Sequence, residues 1–207
     1  MDYIYIIIIG YLFGCMQFSF FYSRLIKKVD IRTIGVGTAG ASNIAISMGV
    51  KAGILVGVLD ILKGFISILV IKSLFPGLIL NVGYLPLYLN GAFVVIGHNY
   101  PFFMNFKGGK GTASTVGFML GLDIRLGLLT ILTVFVVTVL TDYIAIGTMS
   151  MLVILCLYTM FFHPSFGTIL IVLFLVIQSV YKHRINFTRI HNKEENGLKQ
   201  TLNKKKD

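Results

Sequence analysis

The sequence predicts an all-α integral membrane protein, a bundle of about seven transmembrane helices with the N-terminus outside and the C-terminus cytoplasmic. Three observations lead there. Of the 207 residues, 56% are hydrophobic and 13% charged, and the mean hydropathy is +0.86; a soluble domain carries about 25% charged residues. The apolar residues gather in runs close to the roughly 20 residues that a spanning helix needs. The charges, which sum to a formal +10, sit at the ends of those runs. That placement argues against a nucleic-acid partner and for a topology set by cytoplasmic lysine and arginine.

The elements follow in order. Residues 3–22 form a first span, entered from Asp2 without the basic region or small-residue cleavage site of a signal peptide, and are expected to be retained. The span ends in Arg24, Lys27, Lys28 and Arg32, which places that end in the cytoplasm. A glycine-rich loop, 30–49, comes next. A second span, 52–74, runs out to the turn Phe75-Pro76-Gly77, and a third, 78–96, runs back, made irregular by Asn81, Pro86 and Asn90. Between Lys110 and Lys182 the crossings must be even in number. Asp123 with Arg125, Asp142, and His163 with Pro164 divide that interval into four segments, 112–122, 126–141, 145–162 and 165–180. The first of these is too short for about 30 Å of hydrocarbon and reads as a half-helix, whose loop must face protein or a wet cavity. The chain after His191 is polar and lysine-rich, with Lys193, Lys199 and Lys204 to Lys206, and is expected to fray beside anionic lipid. Two parts result: a transmembrane domain, 1–190, and a basic cytoplasmic tail, 191–207. Cys15 and Cys156 lie inside apolar runs, and no metal-ligand spacing is present.

Three polar stretches share the predicted cytoplasmic face. In the first, Gly35, Gly37 and Gly40 let backbone N–H groups approach an oxyanion, and Thr38, Ser42 and Asn43 add hydrogen-bonding side chains; a flexible connector has the same glycine content. The second runs from Gly97 to Ser114. There Lys107, Gly108, Gly109, Lys110 and Gly111 set bare amides beside two ammonium groups, and Thr112 opens a helix, which together make a phosphate cradle. His98 is either a hydrogen-bonded structural residue or, beside a hydroxyl, a general base. In the third, Arg184 and Arg189 suit a bidentate phosphate clamp, with His183, Asn186, Glu194 and Glu195 alongside; topology alone also demands basic residues there. Asp60 and Lys63, three residues apart on the second span, read as a structural ion pair or as a substrate contact. The three stretches together predict a shallow basic pocket at the edge of the inner leaflet, suited to a phosphorylated soluble substrate meeting a lipid one.

Asp30-Ile31-Arg32 with Gly35 to Asn43, Gly97 to Pro101 with Phe106 to Gly111, His183 to Arg189, and Leu59 to Gly64 resemble the motifs of the PlsY family of bacterial acyl-phosphate:glycerol-3-phosphate acyltransferases over nearly the whole chain. The resemblance implies a seven-span membrane protein of phospholipid synthesis. Its reaction would move a fatty acyl group from acyl phosphate to the 1-hydroxyl of glycerol 3-phosphate, with membrane lipid as surroundings, no cofactor, and functional coupling to an enzyme that forms acyl phosphate. It implies catalytic roles for His98, Lys110 and Asn186, and substrate phosphate on Lys110, Asn186 and the amides of Gly108 to Gly111, with the first loop closing the other side. A phosphate of the bound substrate would act as base, leaving His98 to orient. Val36 and Ile46 stand where the family has a phosphate-binding serine and arginine, Ser42 replaces a threonine, and Lys193 replaces a glycine. Two other readings fit the same loops: a carrier for a small organophosphate, and a divergent paralogue that binds acyl phosphate or lipid.

Overall fold

The computed structural model describes residues 1–203, so Lys204 to Lys206 lie outside the described residues. The described residues fold into helices and no strand. In chain order these are α1 (Asp2–Cys15), α2 (Phe18–Lys27), α3 (Ala41–Met48), α4 (Val50–Leu74), α5 (Pro76–Val82), α6 (Leu85–Asn99), α7 (Thr112–Leu122), α8 (Ile124–Thr141), α9 (Ile144–Phe162), α10 (Phe166–His191) and α11 (Leu198–Asn203). Short 3-10 turns, Ile31–Thr33 and Phe102–Met104, sit in the two long connections.

The chain runs back and forth between two ends of the bundle. At one end Tyr84 stacks on His163 at 3.8 Å, Tyr158 donates to Asp123, and Lys72 donates to the Leu122 carbonyl. At the other end the loop after α2, the loop after α6, the α8–α9 turn and the last turns of α10 meet. Among the described residues, five elements are long and apolar enough to cross a membrane: α1 with α2, then α4, α8, α9 and α10. Helices α5 and α6 together make a sixth candidate, and α7 is a shorter apolar helix. Large apolar side chains such as Leu128, Leu132 and Phe135 on α8 are exposed, the outward face expected of a bundle in lipid.

Close approach of backbones sets the packing. A Cβ at Gly10 or Gly14 on α1 would collide with the Asn90 or Val94 carbonyl of α6, and one at Gly97 with the Tyr11 carbonyl. These small residues, four apart on α1, let the helices touch where no hydrophobic drive from water is available. The main core gathers Ile68, Ile71, Tyr88, Phe118, Met151 and Leu155. A separate small cluster, Ile31, Ala39, Ile44, Val56 and Met104, sits under the first loop and seats it on α4.

Four expectations change. The predicted third span, 78–96, is not one helix: α5 and α6 meet at a 113° bend, where Gly83 takes φ 71 and Pro86 opens α6. The predicted loop 30–49 contains α3, so Ser42 and Asn43 lie in its first turn. Helix α10 continues past Val180 to His191, because loss of apolar sequence marks the edge of the hydrocarbon and not the end of backbone hydrogen bonding. The described part of the tail folds back instead of fraying: the Glu194 N–H donates to the Arg189 carbonyl at 2.8 Å, and the Leu198 N–H to the Asp142 carbonyl at 2.9 Å.

Candidate active site

The first loop is held from both sides. Arg32 pairs with Asp30 at 2.6 Å and reaches across to the carbonyls of Met104, at 2.6 Å, and Lys107, at 3.3 Å. It therefore ties the first loop to the central one, and its guanidinium holds the Asp30 carboxyl below the usual carboxylate range. Asn43 is fully buried. Its Nδ2 lies within 3.0 Å of the Ile31, Ile34 and Thr38 carbonyls, and its Oδ1 accepts from the Val36 N–H at 2.8 Å. Its amide shapes the loop and does not face a ligand.

The central loop rests on the end of α6. The His98 carbonyl accepts the Gly109 N–H at 3.0 Å, and the Asn99 carbonyl accepts the Gly108 N–H at 3.1 Å. A Cβ at Gly109 would collide with His98 Nε2, so glycine is required where the loop crosses the ring. Beneath it His98 Nδ1 lies 2.9 Å from Lys63 Nζ. Lys63 also donates to the Gly14 and Met16 carbonyls and pairs with Asp60 at 2.8 Å. It thereby satisfies the oxygens that the break between α1 and α2 releases from helix bonding.

The last turns of α10 complete the site. Lys110 Nζ donates to Asn186 Oδ1 at 2.5 Å, and Asn186 Nδ2 donates to Glu195 Oε1 at 2.5 Å. Burial pushes the Lys110 ammonium below the usual lysine range; Glu195 partly offsets this and Arg189 adds to it. A cleft open at its mouth lies between Val36 and Thr38 of the first loop and Gly108 to Lys110 of the central loop. Lys182, Arg184, Ile185, Asn186 and Arg189 form its third wall. Four cationic side chains thus converge on one cavity, the arrangement that stabilises phosphate charge.

The sequence-derived set divides. Thr38, Gly108, Gly109, Lys110, Arg184, Asn186 and Arg189 line the cleft, and Glu195 reaches it through Asn186. The amides of Gly108 and Gly109 are already bonded to α6 carbonyls, so they are not donors for a ligand; their lack of side chain is what serves the site. Gly35, Gly37, Gly40, Ser42, Lys107 and Gly111 are not in its wall. His98 is buried under the loop with Asp60 and Lys63, and His183 turns inward, its Nδ1 2.9 Å from the Ser179 carbonyl. Sequence reasoning missed Lys182 and Ile185 as wall residues and met Val36 only as the residue in place of a phosphate-binding serine; Lys182 was legible only as a topology signal. Lys182 stands 4.5 Å above the Tyr100 ring, where the cleft adjoins an apolar groove lined by Ile96, Tyr100, Phe174, Ile177 and Tyr181.

A multi-pass helical membrane protein with a polycationic cleft opening beside an apolar groove is the architecture of a protein that handles phosphorylated lipid. Residues 4–193 match the family model for glycerol-3-phosphate acyltransferase, and the chain belongs to that family. It is 39% identical over 207 residues to glycerol-3-phosphate acyltransferase 1 of Oceanobacillus iheyensis, covering 99% of each chain. It is 36% identical to the glycerol-3-phosphate acyltransferase of Bacillus subtilis, covering 94% of this chain and 96% of that one. Among solved structures it is similar to PlsY, an integral membrane glycerol 3-phosphate acyltransferase. The glycerol 3-phosphate form aligns with TM-score 0.85 at 28% identity, covering 96% of each chain. The lysophosphatidic acid form aligns with TM-score 0.82 at 26% identity, covering 98% of this chain and 99% of that one.

Proposed function

We propose that the chain transfers a fatty acyl group from acyl phosphate to the 1-hydroxyl of glycerol 3-phosphate, forming lysophosphatidate and phosphate, with the cleft on the cytoplasmic face of the cell membrane. The observation that carries this reading is the junction of cleft and groove at Lys182 and Tyr100. Phosphate is held among cations there while the acyl chain lies in an apolar seat one helical turn away. Family membership and the two PlsY forms support it.

Acyl phosphate is an activated mixed anhydride, so the protein has only to align the two substrates and stabilise charge. The glycerol hydroxyl attacks the acyl carbonyl, the bond from that carbon to the phosphate oxygen breaks, and the hydroxyl proton passes to a phosphate oxygen. Lys110, oriented by Asn186 and Glu195, holds phosphate in the centre of the cleft. Arg184, Arg189 and Lys182 stabilise the departing phosphate, and Thr38 closes the first-loop wall. His98, Asp60 and Lys63 position the central loop from below.

Pure protein in detergent is expected to release phosphate from acyl phosphate only when glycerol 3-phosphate is present, with lysophosphatidate detected by mass. Phosphate release indifferent to glycerol 3-phosphate, or glycerol 3-phosphate carried unchanged across a vesicle membrane, overturns the reading. Seven crossings put Lys110 and Asn186 on one side, which cysteine labelling in sealed vesicles reads directly.

A further inference from the structure

The tail is held at two points, and Glu195 lies between them. At the near end Lys193 takes the left-handed conformation, φ 61, and the Glu194 N–H returns to the Arg189 carbonyl at 2.8 Å. At the far end the α8–α9 turn takes hold. Asp142 accepts the Leu198 N–H on its carbonyl at 2.9 Å and the Lys199 N–H on its carboxylate at 2.8 Å. Gly197 lies flat on that carboxylate, where any Cβ would collide. The Glu195 carboxylate accepts from the Asn186 amide, which fixes which amide atom faces Lys110. An amide turned over would set two donors against one another.

We propose that Asp142 is a positioning residue for the cleft: by clasping Gly197 to Lys199 it fixes the far end of the arch and keeps Glu195 on Asn186. This rests on the reading of the cleft as the glycerol 3-phosphate site. Asp142 stands apart from the three polar stretches of the site and touches no wall of the cleft. It acts through the tail alone.

The test uses the full chain in detergent, with KM for glycerol 3-phosphate and kcat measured separately. Asp142→Ala is expected to raise KM about tenfold, the scale of one lost charge-assisted hydrogen bond, with kcat changed less. Asp142→Asn keeps the accepting oxygen and restores the wild-type KM. Gly197→Val opens the clasp from the tail side, where the bundle is not at risk, and reproduces the Asp142→Ala shift. In a Glu195→Ala background, which removes the acceptor for the Asn186 amide, Asp142→Ala adds nothing further, because both act along one path. Wild-type KM in Asp142→Ala and Gly197→Val, an effect that multiplies with Glu195→Ala, or an unchanged KM in Glu195→Ala itself each overturn the proposal. Trypsin cleavage at Lys199 gives a second readout: Asp142→Ala and Gly197→Val speed it, and unchanged cleavage refutes the clasp. A wild-type chain that makes no lysophosphatidate counts against the acyl-transfer reading, and the proteolysis result still decides whether the clasp exists.

Discussion

Two lysines on facing segments of the bundle, Lys63 buried and Lys110 half-buried, show what separates a structural cation from one free to take a ligand. Lys63 lies in α4 with an acceptor on every side: Asp60 at 2.8 Å, the Gly14 and Met16 carbonyls at 3.1 and 2.8 Å, and His98 Nδ1 at 2.9 Å. Its three N–H groups have nothing left to offer a ligand. Lys110 has one acceptor, Asn186, and the rest of its ammonium faces the cleft. Both are charged residues beside the same glycine loop, yet saturation makes the first a strut and vacancy leaves the second able to bind. The difference lies in how many acceptors surround each, which spacing along the chain does not encode.

The largest effect is expected where the strut is removed. Lys63→Ala leaves the Asp60 carboxylate buried and unpaired and orphans two carbonyls, which costs about 3–5 kcal/mol. Thermal unfolding in detergent should show it as a large downward shift, and the pair Asp60→Leu with Lys63→Met should recover most of the loss, since no lone charge remains. An unshifted melting temperature in Lys63→Ala with activity lost would erase the distinction between the two lysines. Lys110→Ala is expected to leave melting close to wild type and to lower turnover by about 10²–10³, the scale of one preorganised donor on developing charge. The sign of its pH dependence follows from burial. Because its folded pKa lies below the usual value, the free enzyme loses this charge as pH rises, at a lower pH than an exposed lysine near ~10.4. The kcat/KM profile should therefore fall on the alkaline side early, and Lys110→Arg, charged throughout, should remove the Lys110 share of that limb at a reduced maximum, Lys182 in the same wall remaining able to lose its charge.

The apolar runs made the bundle legible, because length and hydropathy suffice for a helix in lipid. The short helix α7 was readable at its exact bounds from Gly111 and Asp123, residues that end a helix locally. The 113° bend between α5 and α6 was not, since Asn81 and Pro86 signal irregularity without its direction. In the site, Lys110, Asn186 and Arg189 were legible as polar residues next to predicted spans. Asn43 and His98 carry the same polar signature, but the Asn43 amide reaches carbonyls 5 to 12 residues away and the His98 ring meets Lys63, 35 residues away, and only the fold decides that. The amides of Gly108 and Gly109 failed as a cradle for the same reason: α6 supplies their acceptors. The tail read as frayed because Asp142, its anchor, is distant in sequence.

The smallest expected effect tests whether the cleft is complete as it stands. Val36 lies in its wall, at the position where the family resemblance places serine, and its N–H is fixed to Asn43 Oδ1 at 2.8 Å. A serine introduced there adds a hydroxyl facing the cavity while the loop keeps its shape. One added hydrogen bond contributes about 0.5–1.5 kcal/mol, so Val36→Ser should lower KM for glycerol 3-phosphate by about 2- to 12-fold. Melting should stay within about 0.5 kcal/mol of wild type. An unchanged KM would mean that the cations alone hold the phosphate and that the first loop contributes shape without contact. A gain far beyond that range, appearing in kcat, would place the hydroxyl on the reacting phosphate rather than on the waiting one, and would extend the contrast between saturated and vacant donors from the two lysines to the first loop.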